Sequence, residues 1–369
     1  MNLMHSCSVF CLTTERLYPV TLGFSLDDVK LMWLRVLLTD EASYHCNVGL
    51  MQACNEIFSG DGNSSLKALH HLSQTLTRVQ RRLGSDDALS DSSIALVVSL
   101  ISQEQIRNQL CAAEIHAKGL EKMIQLRGGL GSLEGNMPLV LSICKADIML
   151  SLQHGKSTMY FRDRMAEVRN LLISKGLRLD YPLTSQPARY NQLYPSLQGI
   201  FSDVISFCRL LNAKTHNLVI DFLTFEEVLV SICYRLLNFR SLNESRKYSD
   251  VQNIYHVGLI VFMMTTFLQF NRHRIMNHRL LSLCLRDVMD TELHRDEDDL
   301  TLWFMIIGGI WISDGAEGGW INQRIQKMAV RRRINTWDEA RRSVCMFPWV
   351  HALHDQPGCK LWSLVQNSH

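Results

Sequence analysis

Only seven prolines interrupt 369 residues, and three of them, Pro182, Pro187 and Pro195, fall in one region. Between the prolines, apolar residues recur at steps of three and four over long segments, while apolar–polar alternation bounded by turn residues is nearly absent. A proline-poor chain with that period is free to build long helices and has little with which to build a sheet. The reading is an all-α fold, a large multi-helix bundle or superhelical array without significant β-sheet. No fixed repeat of twenty to fifty residues is evident, which disfavours a regular solenoid.

The individual helices can be placed. One is expected over 26–38, opening at Ser25 with Asp27 and Asp28 in its first turn, and a second runs through Met51 and Cys54 to the Ser59–Asn63 turn. A third sets Leu69, Leu72, Leu76, Val79 and Leu83 on one face and ends at Gly84; a fourth starts with Ser90 or Asp91 as N-cap and passes Ile101. Ile106, Leu110, Ala113, Ala117, Leu120 and Ile124 make the apolar stripe of the next, which stops at Gly128-Gly129. Arg127 sits in its last turn, where a cation favours the negative end of the helix dipole. Further helices are expected from Pro138 towards Gln153 and over 197–211, 225–239, 254–270, 280–289, 302–312, 320–332 and 336–346. Residues 1–25 read as an irregular N-terminal segment, and 26–365 as one helical domain with an internal connection near 176–196.

Hydrophobic residues make up 47% of the chain and charged residues 20%, enough for a substantial core. The formal charge of +2 is far from the basic excess of a nucleic-acid-binding module. Eleven cysteines stand without a framework, most among apolar neighbours, as Cys144, Cys208, Cys233 and Cys284 do, which suits reduced thiols. The N-terminus lacks a basic n-region, so no signal peptide is expected. The longest apolar run, 257–270, is shorter than a membrane span and contains Thr265, Thr266 and Gln269; a buried core helix is expected there, and no membrane partner.

The wording around the double glycine is more particular than its period. His116, Gly119, Leu120, Met123, Leu126, Arg127, Gly128, Gly129 and Leu130 resemble the "H..GL..M..LRGGL" signature of the regulatory domain of fungal zinc-cluster transcription factors. Trp33 to Asp40 with Tyr44 resemble that family's opening segment, and the helices at 69–83 and from 89 resemble the pair before the signature. Asp147 resembles the acidic residue that follows it. Leu302-Trp303 with Gly308 resemble a later helix, and Trp320, Trp337 and Phe347 to Trp349 the closing tryptophan-bearing segments. The resemblance covers residues 30 to 355 and implies a fungal, nuclear protein that modulates transcription through other transcription-related proteins or a small-molecule effector, as a monomer or as a homo- or hetero-oligomer. The family's six-cysteine zinc cluster has no counterpart in residues 1–60, where Cys7, Cys11, Cys46 and Cys54 are too few and wrongly spaced. Direct DNA binding is therefore not expected of this chain.

The signature residues read as structural, and no catalytic, metal, cofactor or DNA-contacting residue is assigned. His116 reads as a satisfied histidine beside Leu120 and Met123. Gly119 in mid-helix, at a cost of about 1 kcal/mol against alanine, implies a close helix crossing. Arg127 and Asp147 are expected to form an ion pair bracing the Gly-Gly turn. Arg-Gly-Gly-Leu-Gly makes a poor phosphate loop, lacking both a preceding strand and a following lysine-plus-hydroxyl pair. Asp86, Asp87 and Asp91, and the run 296–299, superficially resemble the aspartate-rich motif of terpene cyclases, but the second metal motif is not apparent and a loop, an N-cap and a helix start explain them better. No HExxH, GxSxG or CxxC occurs. Arg331 to Arg333 with Arg341 and Arg342 read as a nuclear-import patch or, more simply, as the wet face of an amphipathic helix. The leading expectation is a regulator; the alternatives are a stand-alone interaction or ligand-binding protein without a DNA role and, least supported, an all-α enzyme.

Overall fold

Ser90, Asn136, Asp221 and Thr336 cap four of the helices through their side chains, and Asn108, Gly128-Gly129, Gly155 and Gly176 in the left-handed region close others. The computed structural model describes residues 22, 41–59, 66–177, 187, 189–213, 220–243, 250–266, 279–291, 299–312 and 319–367. Among these residues there are helices and turns but no strand.

Helices α1 (Glu41–Ser59) and α2 (Leu66–Leu83) form an antiparallel pair, with Glu41 at the start of α1 ion-paired to Arg78 near the end of α2. Ser90 caps α3 (Asp91–Ile106), accepting from the Ser93 N–H at 3.3 Å. Beyond α4 (Leu110–Leu126) come α5 (Met137–His154), capped by Asn136 with Pro138 in its first turn, and α6 (Met165–Ser174). Asp221 caps α8 (Phe222–Phe239), which follows α7 (Pro195–Asn212). Then come α9 (Asp250–Thr266), α10 (Arg279–Thr291), α11 (Asp299–Ile312) and α12 (Gly319–Arg332). A capping box of Thr336 and Glu339 starts α13 (Trp337–Val344), and α14 (His351–Gln366) ends the described chain.

Helices α5, α8, α9 and α11 are apolar nearly all round, so each must be covered on every side. They pack in succession, α5 on α8, α8 on α9 and α9 on α11, forming the central row. Helix α3, with α4 laid on it, covers the α5 end; α12, α13 and α14 cover the α11 end; α10 touches α5, α9 and α11. One cluster of buried apolar side chains runs from Ile94 to Val365. A smaller one, Ala42, Cys46, Leu72, Val79, Leu96 and Leu100, joins the α1–α2 pair to α3.

The helix ends differ from the sequence reading in instructive places. Ile106 does not share a helix with Leu110, because Asn108 adopts φ 57° and the Gln109 N–H closes back on the Glu104 carbonyl at 2.8 Å. The even apolar spacing runs across this break, so periodicity alone could not see it. Of the five residues expected on one face of α2, Leu72 and Val79 are buried, while Leu69, Leu76 and Leu83 lie to one side and stay exposed. Helices α6 and α14 were not anticipated: α6 is short, and Pro357 lies inside α14. Val257 to Thr266 is the buried core helix expected, and no described helix is long and apolar enough to cross a membrane. The N-terminal segment apart from residue 22, the helix at 26–38, Trp33 to Asp40, the turn after Ser59, residues 178–186 and 188 of the 176–196 connection, 267–270 and 296–298 lie outside the described residues. Cys46, Cys144, Cys208 and Cys233 are buried thiols outside any disulfide.

Candidate functional site

The signature turn is built by backbone first. Gly128 and Gly129 adopt φ 98° and 93°, the Gly129 N–H reaches the Ile124 carbonyl at 2.8 Å and the Gly128 N–H the Gln125 carbonyl at 3.1 Å. This is the Schellman closure, whose left-handed position strains any residue with a Cβ. Leu120 and Met123 are buried beneath it, and His116 is half-buried, its imidazole held below the ordinary pKa by burial. Gly119 departs from expectation: it lies on the opposite, exposed side, and nothing stands within 4 Å of the position a Cβ would take. Among the described residues no helix crosses there. Ile115 and Leu126, 69% and 61% exposed, flank it on the outer face of α4.

Arg127 and Asp147 do not meet. Arg127 turns back to the Leu89 carbonyl and to Asp91, whose Oδ1 lies 2.8 Å from Nη2, while Asn136 Nδ2 donates to Asp91 Oδ2 at 2.9 Å. Asp91 thereby joins the start of α3, the end of α4 and the cap of α5. Asp147 sits ten residues into α5, about 15 Å from that cap at 1.5 Å per residue, which is why the pair cannot form. It is buried and accepts from the Met159 N–H at 2.9 Å, the Tyr160 N–H at 3.0 Å and the Tyr234 hydroxyl at 2.9 Å. Burial raises its pKa against the pull of those three donors.

Trp303, Trp337 and Trp349, distant in sequence, converge at the other end of the row. Trp303 stacks on Phe347 with centroids 5.5 Å apart and donates Nε1–H to the Pro348 carbonyl at 3.0 Å. Gly258 of α9 makes room for its ring; a Cβ there would lie 2.7 Å from it. Trp349 packs beside Trp337 at 6.1 Å and donates to Asp355 Oδ1 at 2.7 Å, and Arg341 clasps the same carboxylate at 3.0 and 2.8 Å. Buried His354 accepts the Val350 N–H at Nδ1, so its neutral ring donates from Nε2 to Thr265 Oγ1 at 2.8 Å; burial pushes its pKa down to about 3. Asn212 bonds the Trp349 carbonyl and the His351 N–H. Asn212, His354 and Asp355 were not singled out from the sequence, and Arg341 only as part of a basic run, since nothing in their spacing announces a shared partner.

Two concavities lie between these joints. One, of about 420 Å³, is walled by Met137, Val168, Leu171 and Leu223 and rimmed by charges. Arg162 there bonds Glu227 twice at 2.8 Å and also Glu134, so its buried guanidinium is fully engaged. The other is an open cleft of about 720 Å³ between α7 and α8, lined by Tyr194, Pro195, Ser196, Ile200, Arg235, Asn238 and Phe239. Arg235 binds Asp203 through Nη1 and has Asp163 Oδ2 3.7 Å from Nε; Arg169 holds the other oxygen of Asp203. The cleft, rather than any signature residue, is the candidate functional site.

Of the acidic residues, Asp91 braces the turn and Asp299 pairs with Arg332 at 2.6 Å, while the Ser85 hydroxyl accepts from the backbone N–H of Asp87. Among the described residues no three His, Cys, Asp or Glu side chains converge as a metal set. Of the basic run, Arg332 and Arg341 are taken up in ion pairs. The molecule is thus an all-α protein with a cleft at α7 and α8. No family model, curated protein or solved structure matches the chain.

Proposed function

We propose that this chain is a nuclear regulatory protein of the transcription-regulator type, acting through contacts its helices make with other proteins or a small-molecule effector rather than through DNA contacts of their own. The observation that carries the reading is the placement of the motif residues. Arg127, Gly128, Gly129 and Asp147 join α3, α4, α5 and α8, and Trp303, Trp337 and Trp349 join α9, α11, α13 and α14. Residues with that role keep a scaffold in one shape and leave its surface to be read by partners. The outer face of α4, with exposed Ile115 and Leu126, and the α7–α8 cleft supply such surfaces. The test is cross-linking of the intact chain in cells, followed by sequencing of the DNA recovered with it. Enrichment at discrete promoters is the expected result; a flat profile equal to that of an unrelated nuclear protein overturns the reading.

The cleft also favours a second reading, a ligand-binding protein without a DNA role. The flat profile, together with ligand binding in solution, selects it.

A further inference from the structure

We propose that the outer face of α4 is a self-association surface, on which a second copy of the chain lays its own α4 antiparallel, crossing at Gly119. The inference goes beyond the regulatory reading and does not depend on it. Along that face Cys111, Ile115, Lys118, Gly119, Lys122 and Leu126 recur at helical steps, and all are exposed. Ile115 and Leu126, 69% and 61% exposed, are large apolar side chains left to water on either side of a glycine. Gly119 weakens the helix it sits in and relieves no contact inside the chain, since nothing lies within 4 Å of where its Cβ would be. Such a glycine serves a helix arriving from outside, because the side chains at the crossing set how closely two helix axes can approach.

The charges decide both orientation and partner. Antiparallel copies crossing at Gly119 bring the residue n places after it opposite the residue n places before it. Lys118 then lies within about 1.5 Å, measured along the helix axis, of Glu121 of the second copy, and symmetry makes two such pairs. Glu114 is already neutralised by Lys156 at 2.7 Å, so Lys118, 3.5 Å from Glu114 and 70% exposed, can turn to a second carboxylate. A parallel pair would instead set Lys118 on Lys118 and Lys122 on Lys122, which repels.

The apolar groups follow the same register. Leu126 falls opposite Ala112, a small half-buried residue, and the stem of Lys122 covers Ile115. A foreign helix would have to reproduce this order of charges, whereas a copy of the chain carries it by construction. One helix crossing buries less than about 1,200 Å², the range of weak and transient contacts, so the dimer forms at micromolar to sub-millimolar concentration.

The experiment is sedimentation equilibrium of the full chain over that concentration range, with carbodiimide coupling of mixed unlabelled and isotope-labelled chains read by mass spectrometry. The expected result is a concentration-dependent dimer carrying an intermolecular Lys118–Glu121 link. Lys118→Glu weakens dimerisation about tenfold, and adding Glu121→Lys restores it, since the pair is rebuilt with its signs exchanged. Gly119→Gln fills the crossing point and abolishes the dimer; within one chain it meets open space, so its fold, checked by circular dichroism, is kept. A chain that stays monomeric at sub-millimolar concentration overturns the proposal and leaves the face to a different protein. So does a dimer that either folded variant leaves unchanged, or one whose links join Lys118 only to other carboxylates. A dimer without promoter enrichment removes the regulatory reading and leaves this inference standing.

Discussion

Arg127 Nη2 donates to Asp91 Oδ1 at 2.8 Å beside the Gly128–Gly129 turn, so the residue that caps the end of the signature helix is fastened to the first residue of the helix before it. Asn136 holds the second oxygen of Asp91 and at the same time caps α5. One carboxylate therefore sets the mutual position of three helix ends.

The two acidic joints titrate in opposite senses. Asn136 first, and then Arg127, depress the pKa of Asp91, whereas burial raises that of Asp147. Asp91 thus adds stability above the unfolded carboxylate value of about 3.9 and loses it as pH falls through its own lower value. Asp147 behaves inversely: stability declines as pH rises from that unfolded value through its raised one. Carbon-detected NMR titration is expected to place the Asp91 midpoint below 3.9 and that of Asp147 above it, the value of about 3.9 being the unfolded reference. Because the Asp91 side chain is 42% exposed, Asp91→Asn costs only on the order of 0.5 kcal/mol at neutral pH, and the difference from wild type vanishes in acid.

Asp147→Ala is a larger insult. It leaves the Tyr234 hydroxyl and the Met159 and Tyr160 N–H groups without their acceptor, the first fully buried. The expected loss is about 3 kcal/mol in urea unfolding, whereas Arg127→Met, at a half-exposed joint, costs about 1 kcal/mol. Equal losses would contradict the separate roles assigned to the two residues.

Two glycines give opposite outcomes for the same substitution. Gly119→Ala meets open space on a regular helix and raises stability by about 1 kcal/mol. Gly258→Ala places a methyl 2.7 Å from the buried Trp303 ring and lowers stability by about 1–3 kcal/mol. Thermal unfolding of the two variants side by side checks both signs.

The helical class was legible because the apolar period and the scarcity of proline act locally, residue by residue along the chain. The cap at Ser90 and the closure at Gly128-Gly129 were legible for the same reason. Partners across the fold were not. Asp147 looked like the natural mate of Arg127 because both belong to one motif, yet ten residues of helix separate Asp147 from the turn. The direction of Gly119 was hidden because α4 is apolar on its outer line as well as its inner one, through Ile115 and Leu126. The cleft was invisible too: Gly199, Asp203 and Arg235 carry no shared motif and meet only once α7 lies on α8.

The central claim is that this chain acts on transcription by being contacted. Its most direct test is to fuse the chain to an unrelated DNA-binding module and measure a reporter driven from that module's sites. The account predicts a reproducible rise or fall in output, retained in Gly119→Ala. Output identical to that of the DNA-binding module alone, with the fusion folded and bound to its sites, would contradict it.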